Sequence, residues 1–394
     1  MQRGTFQLMK SVNKSIILNK IRTCEPISRA QIAKETELTP PTVSSIVKEL
    51  LEQGMVYEQK KATSMGGRRP TMLYINKTAY YLVGVDAGPE KIKAIVADLG
   101  GRILGRISYV LNTPITEASF LDVMKQSINE VVRHANVKME EVMGIGVAMH
   151  GVVEIATGRA LYAPNLQLTD IPIKEALEQE FRVTVKVEND ARAMALGEAW
   201  FGGHGDLGSM VTVNLGRGVG AGIVTDGKLF HGAKDIAGEI GHMTIDINGE
   251  ICECGNRGCL QTFATGSAIA MRAERKLAER GEVHSFKLTA ESVFELAKSG
   301  NELYLDVLEE TGFAIGIGLT NVIHIVNPGK IVLGGGVMKS EEFLLPIIKK
   351  TVNNNALTEG AKNTEVKVTK LGKDATVLGA VALLLVEIFD SVLG

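Results

Sequence analysis

The stretch Ile251–Gln261, ICECGNRGCLQ, holds three of the four cysteines in a chain of 394 residues. Cys252, Cys254 and Cys259 stand as Cys-x-Cys-x4-Cys, and His242 precedes the first of them by ten residues. Three thiolates and one imidazole form a tetrahedral zinc set, and four protein ligands leave no open position for substrate. The spacing therefore predicts structural Zn2+ on His242, Cys252, Cys254 and Cys259. Gly255 and Gly258 give the loop freedom to fold round an ion. Free buried thiols and a redox couple are the competing readings, whereas a disulfide leaves the third cysteine unexplained. Cys24, far from the others, is expected to be a small core residue.

Outward from this knuckle, the chain has the composition of a soluble globular protein, 45% hydrophobic and 22% charged, and is long enough for two or three domains. No apolar run approaches the roughly 18 residues of a membrane span, and no apolar segment follows the N-terminal positive charges. Few, unevenly spaced cysteines without an export signal imply a reducing cytoplasm and no membrane partner. The net charge of −2 conceals a division. Residues 1–78 carry 13 basic and 6 acidic side chains, leaving 30 of the 43 basic and 39 of the 45 acidic residues to the remainder. A basic head on an acidic body directs only the head toward a polyanion.

That head reads as three helices and a wing. Ile16, Ile17, Leu18 and Ile21 make a helical stripe within Ser11–Arg22. Ser28 caps a second helix with Ile32 and Ala33 inward, and Thr39 precedes Pro40 at the start of a third. Val43, Ile46, Val47, Leu50 and Leu51 form the apolar stripe of that third helix. Thr39, Thr42, Ser44, Ser45 and Lys48 are left outward, where small hydroxyls approach base edges and phosphates. The following segment alternates, turns at Gly66-Gly67 and returns through Met72–Ile75, a β-wing whose tip carries Arg68 and Arg69. The pattern is a winged helix-turn-helix for double-stranded DNA, with the arginines suited to a minor groove. A protein-interaction module with a basic loop is the other reading.

Beyond Lys77 two consecutive βββαβα-like sets follow, each led by a Gly-rich turn, and together they suggest a duplicated α/β fold with a cleft between lobes. The expected divisions are 1–78 for the head, 79–190 for the first lobe and 191–394 for the second, with a last helix returning to the first lobe. Asp86-Ala87-Gly88, Asn214–Gly222 and Leu333–Gly336 are glycine-containing turns where backbone can approach a ligand. Asn189 and Asp190 lie between a strand and a helix. There they either hydrogen-bond sugar hydroxyls, with Asp190 a possible general base, or simply cap the helix.

The segment GEIGHMTIDINGEICECGNRGCLQTFAT (238–265) resembles the signature of the ROK family of repressors, open reading frames and sugar kinases, and the likeness runs over the whole chain. It implies an actin-like, ribonuclease H-like two-lobed sugar-kinase fold behind the winged head, as in the repressor branch that includes xylose repressors and regulators of N-acetylglucosamine use. By the same resemblance, sugar is held by Asn189, Asp190, Glu239, His242 and the position of Gln261, where the family usually has Glu. His150 stands beside a glycine that the family usually precedes with Pro, and is a further candidate sugar contact.

The kinases of the family carry Asp-x-Gly-Gly-Thr and Gly-Thr-Gly in their two phosphate turns. Here the turns read Asp86-Ala87-Gly88-Pro89-Glu90 and Gly216-Arg217-Gly218. Glu90 places negative charge toward a γ-phosphate and Pro89 removes a backbone donor. The expectation is a sugar-responsive repressor without catalytic residues, xylose being the first guess for its effector, acting on operator DNA as a homodimer or dimer of dimers. An ATP-dependent, glucokinase-like sugar kinase with an accessory DNA-binding domain is the alternative.

Overall fold

The computed structural model describes residues 2–60, 71–112, 114–205 and 208–389, with side chains described from residue 10 onward. The head comprises α1 (Gln2–Cys24), β1 (Ile27–Ser28), α2 (Arg29–Thr36), α3 (Pro40–Glu52), β2 (Val56–Lys60) and β3 (Thr71–Ile75). Local chemistry sets its boundaries: Ser28 Oγ accepts from Gln31 N, and Thr39 Oγ1 accepts from Thr42 N, capping α2 and α3. Ile17, Leu18, Ile21, Ile32, Val43, Ile46, Val47 and Leu50 are buried together, while Leu51 is only partly covered. The three strands pair antiparallel in the order β1-β3-β2. Helix α1 begins earlier than the apolar stripe indicated, running on through Gly4 from Gln2. Cys24 is exposed rather than core: α1 ends on it as the chain turns toward β1. The wing tip with Arg68 and Arg69 lies outside the described residues.

The first lobe runs β4 (Tyr81–Ala87), β5 (Lys91–Asp98), β6 (Ile103–Val110), α4 (Glu117–His134), β7 (Val142–Met149), β8 (Val152–Glu154), β9 (Arg159–Ala163), β10 (Leu168–Ile171), α5 (Ile173–Phe181), β11 (Thr184–Asn189) and α6 (Asp190–Phe201). Its main sheet has the order β6-β5-β4-β7-β11, with β4, β5 and β6 antiparallel and β7 and β11 parallel to β4. Strands β8, β9 and β10 form a small antiparallel sheet that the sequence pattern does not announce.

The second lobe follows with β12 (Ser209–Leu215), β13 (Val219–Thr225), β14 (Lys228–Leu229), α7 (Gln261–Ala264), α8 (Gly266–Glu279), α9 (Ala290–Lys298), α10 (Glu302–Val326), β15 (Lys330–Gly334), α11 (Glu341–Asn355), α12 (Glu359–Lys362), β16 (Glu365–Val368) and α13 (Ala375–Phe389). Its sheet order, β14-β13-β12-β15-β16, repeats the connectivity of the first lobe strand for strand. The helical stretch between β14 and β15 is divided where Thr265, Thr289 and Asn301 accept backbone N–H groups and start new helices.

The lobes exchange their last helices. Helix α6 leaves the first sheet and packs on β12 and β13, whereas α13 leaves the second sheet and packs on β4, β7 and β11. The two helices cross at small residues: a Cβ on Gly379 would lie 1.8 Å from Ala193 O, so only glycine permits this approach. The head is continuous with this crossing. Ile17, Leu18 and Ile21 of α1 share one apolar cluster with Leu82, Ile95, Val381, Leu385 and Phe389. No described helix is long and apolar enough to cross a membrane.

Candidate functional site

The first-lobe part of the site grows from the end of β11. Asn189 Oδ1 accepts from Ala191 N at 3.0 Å and Arg192 N at 3.2 Å, and its Nδ2 donates to Gly151 O at 2.9 Å. The side chain thus caps α6 and ties it to the end of β7. Asp190 Oδ1 takes Ala191 N at 2.9 Å, and Oδ2 faces His150 Nδ1 at 3.8 Å. His150 Nε2 meets Asn165 Nδ2 at 2.8 Å. Asn189, Asp190 and His150 are therefore brought together. Asp86, at the end of β4, accepts from Lys93 Nζ at 2.6 Å. Burial pushes its carboxyl above the ordinary range against the pull of Lys93, and the charge of Asp190 adds to the rise.

Beneath these groups lies a network that the sequence reading missed. Glu188, 2% exposed, accepts from Asn189 N, Arg192 Nε and His231 Nε2, each at 2.7 Å. Arg192 Nη1 also donates to Asp235 O at 2.7 Å. Burial alone would raise the Glu188 carboxyl, yet the His231 hydrogen bond and the Arg192 charge hold it below its ordinary value. The only sequence signal is a carboxylate among buried positions of an apolar strand. This network joins the end of β11 to the second-lobe loop that leads to Glu239 and His242.

In that loop Glu239 is exposed and opens a single 3-10 turn, Ile240–His242. The turn delivers His242 to the three cysteines, and one donor atom from each of His242, Cys252, Cys254 and Cys259 lies within 4.8 Å of all the others. Cys252 Sγ is 3.7 Å from His242 Nδ1, and Cys254 Sγ is 3.7 Å from Cys259 Sγ. A tetrahedron with metal–sulfur arms of about 2.3 Å has edges of about 3.8 Å, so the donor set fits a four-coordinate ion. The thiols also prepare for one. The Asn256 backbone N–H, with help from neighbouring groups, brings Cys254 down to about 7, while burial and the adjacent sulfurs push Cys259 up to about 12. Crowded thiols share negative charge poorly, and a divalent cation removes that conflict. Gly258 is obligatory in the knuckle: its φ is +66° and a Cβ there would lie 1.6 Å from Asp246 O. Gln261 Nε2 donates to Cys252 Sγ at 3.3 Å, so its amide is occupied by a sulfur of the knuckle.

The Gly-rich turns meet as well. Arg217, between β12 and β13, is ion-paired with Glu90, between β4 and β5. On the head, Ser44, Ser45 and Lys48 are exposed along α3. Thr39 and Thr42 bond to each other through their hydroxyls at 2.8 Å, and Lys48 pairs with Glu52 at 3.8 Å.

These features define a two-lobed sugar-kinase-type body joined to a DNA-binding head. The chain matches the ROK family over residues 82–387 and the winged helix-turn-helix DNA-binding family over residues 15–57. It belongs to the ROK family. It is 31% identical to the xylose repressor of Caldicellulosiruptor bescii, over 98% of each chain, and 32% identical to the transcriptional dual regulator NagC of Escherichia coli, over 97% of this chain and 94% of that one. Among solved structures, a ROK family transcriptional regulator, a homologue of the E. coli MLC protein, superposes with a TM-score of 0.87 at 27% identity over 98% of both chains. A ROK family glucokinase from Streptomyces griseus, solved with glucose and AMPPNP, gives 0.69 at 28% identity over 77% of this chain and 98% of its own.

Proposed function

We propose that the chain is a sugar-responsive transcriptional repressor of carbohydrate-utilisation genes, with xylose as its first candidate effector. The observation that carries this reading is the architecture: a winged helix-turn-helix shares a hydrophobic core with a two-lobed body of sugar-kinase type. Full-length relatives named as repressors support it.

In this reading α3 presents Thr39, Thr42, Ser44, Ser45 and Lys48 to the major groove, and Arg68 and Arg69 reach the adjacent minor groove. Two copies would occupy half-sites of a palindromic operator. Sugar binds between the lobes through Asn189, Asp190, Glu239 and His242, with His150 at the rim, and changes operator affinity by favouring one lobe arrangement. Gln261 bonds the knuckle, and we assign its influence on sugar to the placement of His242. Structural zinc on His242, Cys252, Cys254 and Cys259 would stiffen the loop that carries two of the ligands. Four cysteines without a disulfide among them suit a reducing cytoplasm.

Catalysis is not part of this reading. The Glu90–Arg217 pair occupies the turns that hold nucleotide phosphates in family kinases, and it neutralises the cation a phosphate would need. The retained Asp190 favours the kinase alternative, which one experiment separates: operator gel shifts and ADP release measured together over a sugar panel. The repressor reading expects sugar to move the gel-shift midpoint without ADP release. Robust turnover abolished by Asp190→Asn would overturn it.

A further inference from the structure

We propose that α6 carries the state of the cleft to the DNA-binding head, and that Arg22, seated on Trp200 and Phe389, is the positioning residue that receives it. The inference rests on the reading of the cleft as an effector site and of the head as the DNA-binding part.

At its cleft end α6 is held by both lobes. Asn189 caps it and donates to Gly151 O of the first lobe, and Arg192 donates to Glu188 and to Asp235 O of the second-lobe loop. A change in spacing between strand end and loop therefore displaces the start of the helix.

The body of the helix has little room to absorb that displacement. Residues 191–198 are all buried. A Cβ on Gly197 would meet Ala375 O at 2.4 Å, so α6 and α13 touch backbone to backbone. Twelve residues of uninterrupted helix make a rod of about 18 Å, and close-packed interiors transmit strain.

At the far end three elements meet on one cation. Arg22 Cζ lies 4.1 Å from the Trp200 ring centroid and 5.7 Å from that of Phe389. The two rings are 5.8 Å apart and tilted by 57°. Asn19 Oδ1 accepts from Arg22 Nε at 3.1 Å and Nη2 at 2.9 Å, so α1 fixes the aim of the guanidinium while α6 and α13 supply its seat. Trp200 travels with the helix packed on the second-lobe sheet, and Phe389 with the helix packed on the first. A displacement of α6 that shifts Trp200 against Arg22 would change a cation–π contact, which is sensitive to the position of the ring. A cavity of about 100 Å³ adjoins the seat, lined by Asn19, Arg22, Trp200, Asp226 and Phe389.

Trp200 is the chain's one tryptophan, so its emission reports this joint directly. In the full-length protein, a sugar that binds by calorimetry is expected to shift Trp200 emission and change operator affinity by a factor in the range of about 5 to 150. Arg22→Met should leave sugar affinity unchanged and bring that factor close to one. Arg22→Lys, which keeps the cation, should restore part of it, whereas a merely structural role would leave the factor intact in both variants. An Arg22→Met protein that binds sugar and retains the full factor overturns the proposal. Should no sugar in the panel bind, the effector reading fails, and the rod is judged alone by a cycle of His231→Gln and Arg22→Met on operator affinity. Non-additive effects uphold it and additive ones refute it.

Discussion

Glu90 and Arg217, 127 residues apart in sequence, face each other as an ion pair across the cleft, one on each lobe's Gly-rich turn. Each side chain neutralises the charge of the other. Both side chains are more than half exposed, 63% and 56%, so the contribution is modest and sensitive to salt.

Reversing one charge, by Glu90→Arg or Arg217→Glu, should weaken sugar binding by up to about fivefold, equivalent to up to ~1 kcal/mol for an exposed pair. Reversing both should restore it. The loss should fade near 1 M salt, where the screening length is about 3 Å. Calorimetry at low and high ionic strength makes the comparison, and an equal loss at both would show that the pair does not act by charge.

The knuckle should hold about one zinc per chain by elemental analysis, since a closed Cys3His set takes one ion. Cys254→Ser is expected to lose the metal and the sugar response together. Gln261→Ala should keep the ligands but lower metal affinity by about 10- to 100-fold, the usual consequence of removing a group that orients a ligand. Competition with a chromogenic chelator measures it, and unchanged affinity would leave Gln261 without a role at the metal.

Glu188 predicts a pH dependence of stability with a definite sign. A carboxyl held below its ordinary value stabilises the fold above that value, about 4.3 for Glu, and the contribution is lost as pH falls further. Glu188→Gln leaves Arg192 buried without its anion and should cost about 3–5 kcal/mol at neutral pH. Thermal melts between pH 7 and pH 3 should therefore converge for the two proteins in acid. Asp86 acts with the opposite sign: raised by burial, its charged form weighs against the fold at neutral pH, and Asp86→Asn should be tolerated in melts.

Asn189 and Asp190 are separable. Asn189→Ala removes the cap of α6 and should destabilise by about 1 kcal/mol, visible as a lower melting temperature. Asp190→Asn keeps the size of the side chain and should abolish sugar binding with little thermal effect. If both variants only lowered the melting temperature, the pair would be reduced to capping.

Much of the fold was legible because local chemistry and global packing agree. Ser28 and Thr39 cap the helices their positions announce, and the two βββαβα sets fold with one connectivity. The cluster of His242 with Cys252, Cys254 and Cys259 was legible because four donors of restricted chemistry sit within a short length of chain. What escaped depends on long-range encounters. Strands β8–β10 are too short to show a period, and Glu188 meets Arg192 across a strand-to-helix junction before reaching His231. The contact of Gln261 Nε2 with Cys252 Sγ also escaped, since a spacing gives no rotamer.

The crossing of α6 and α13 has a consequence for truncation. The DNA-binding head precedes the body in the chain, but part of the apolar floor on which α1 rests comes from Val381, Leu385 and Phe389 of α13. A chain cut before α13 therefore keeps the helices of the head but loses part of the surface they rest on. The packing of the head is therefore a property of residues from both ends of the described chain, so a cut before α13 should unsettle the DNA-binding head as well as the body.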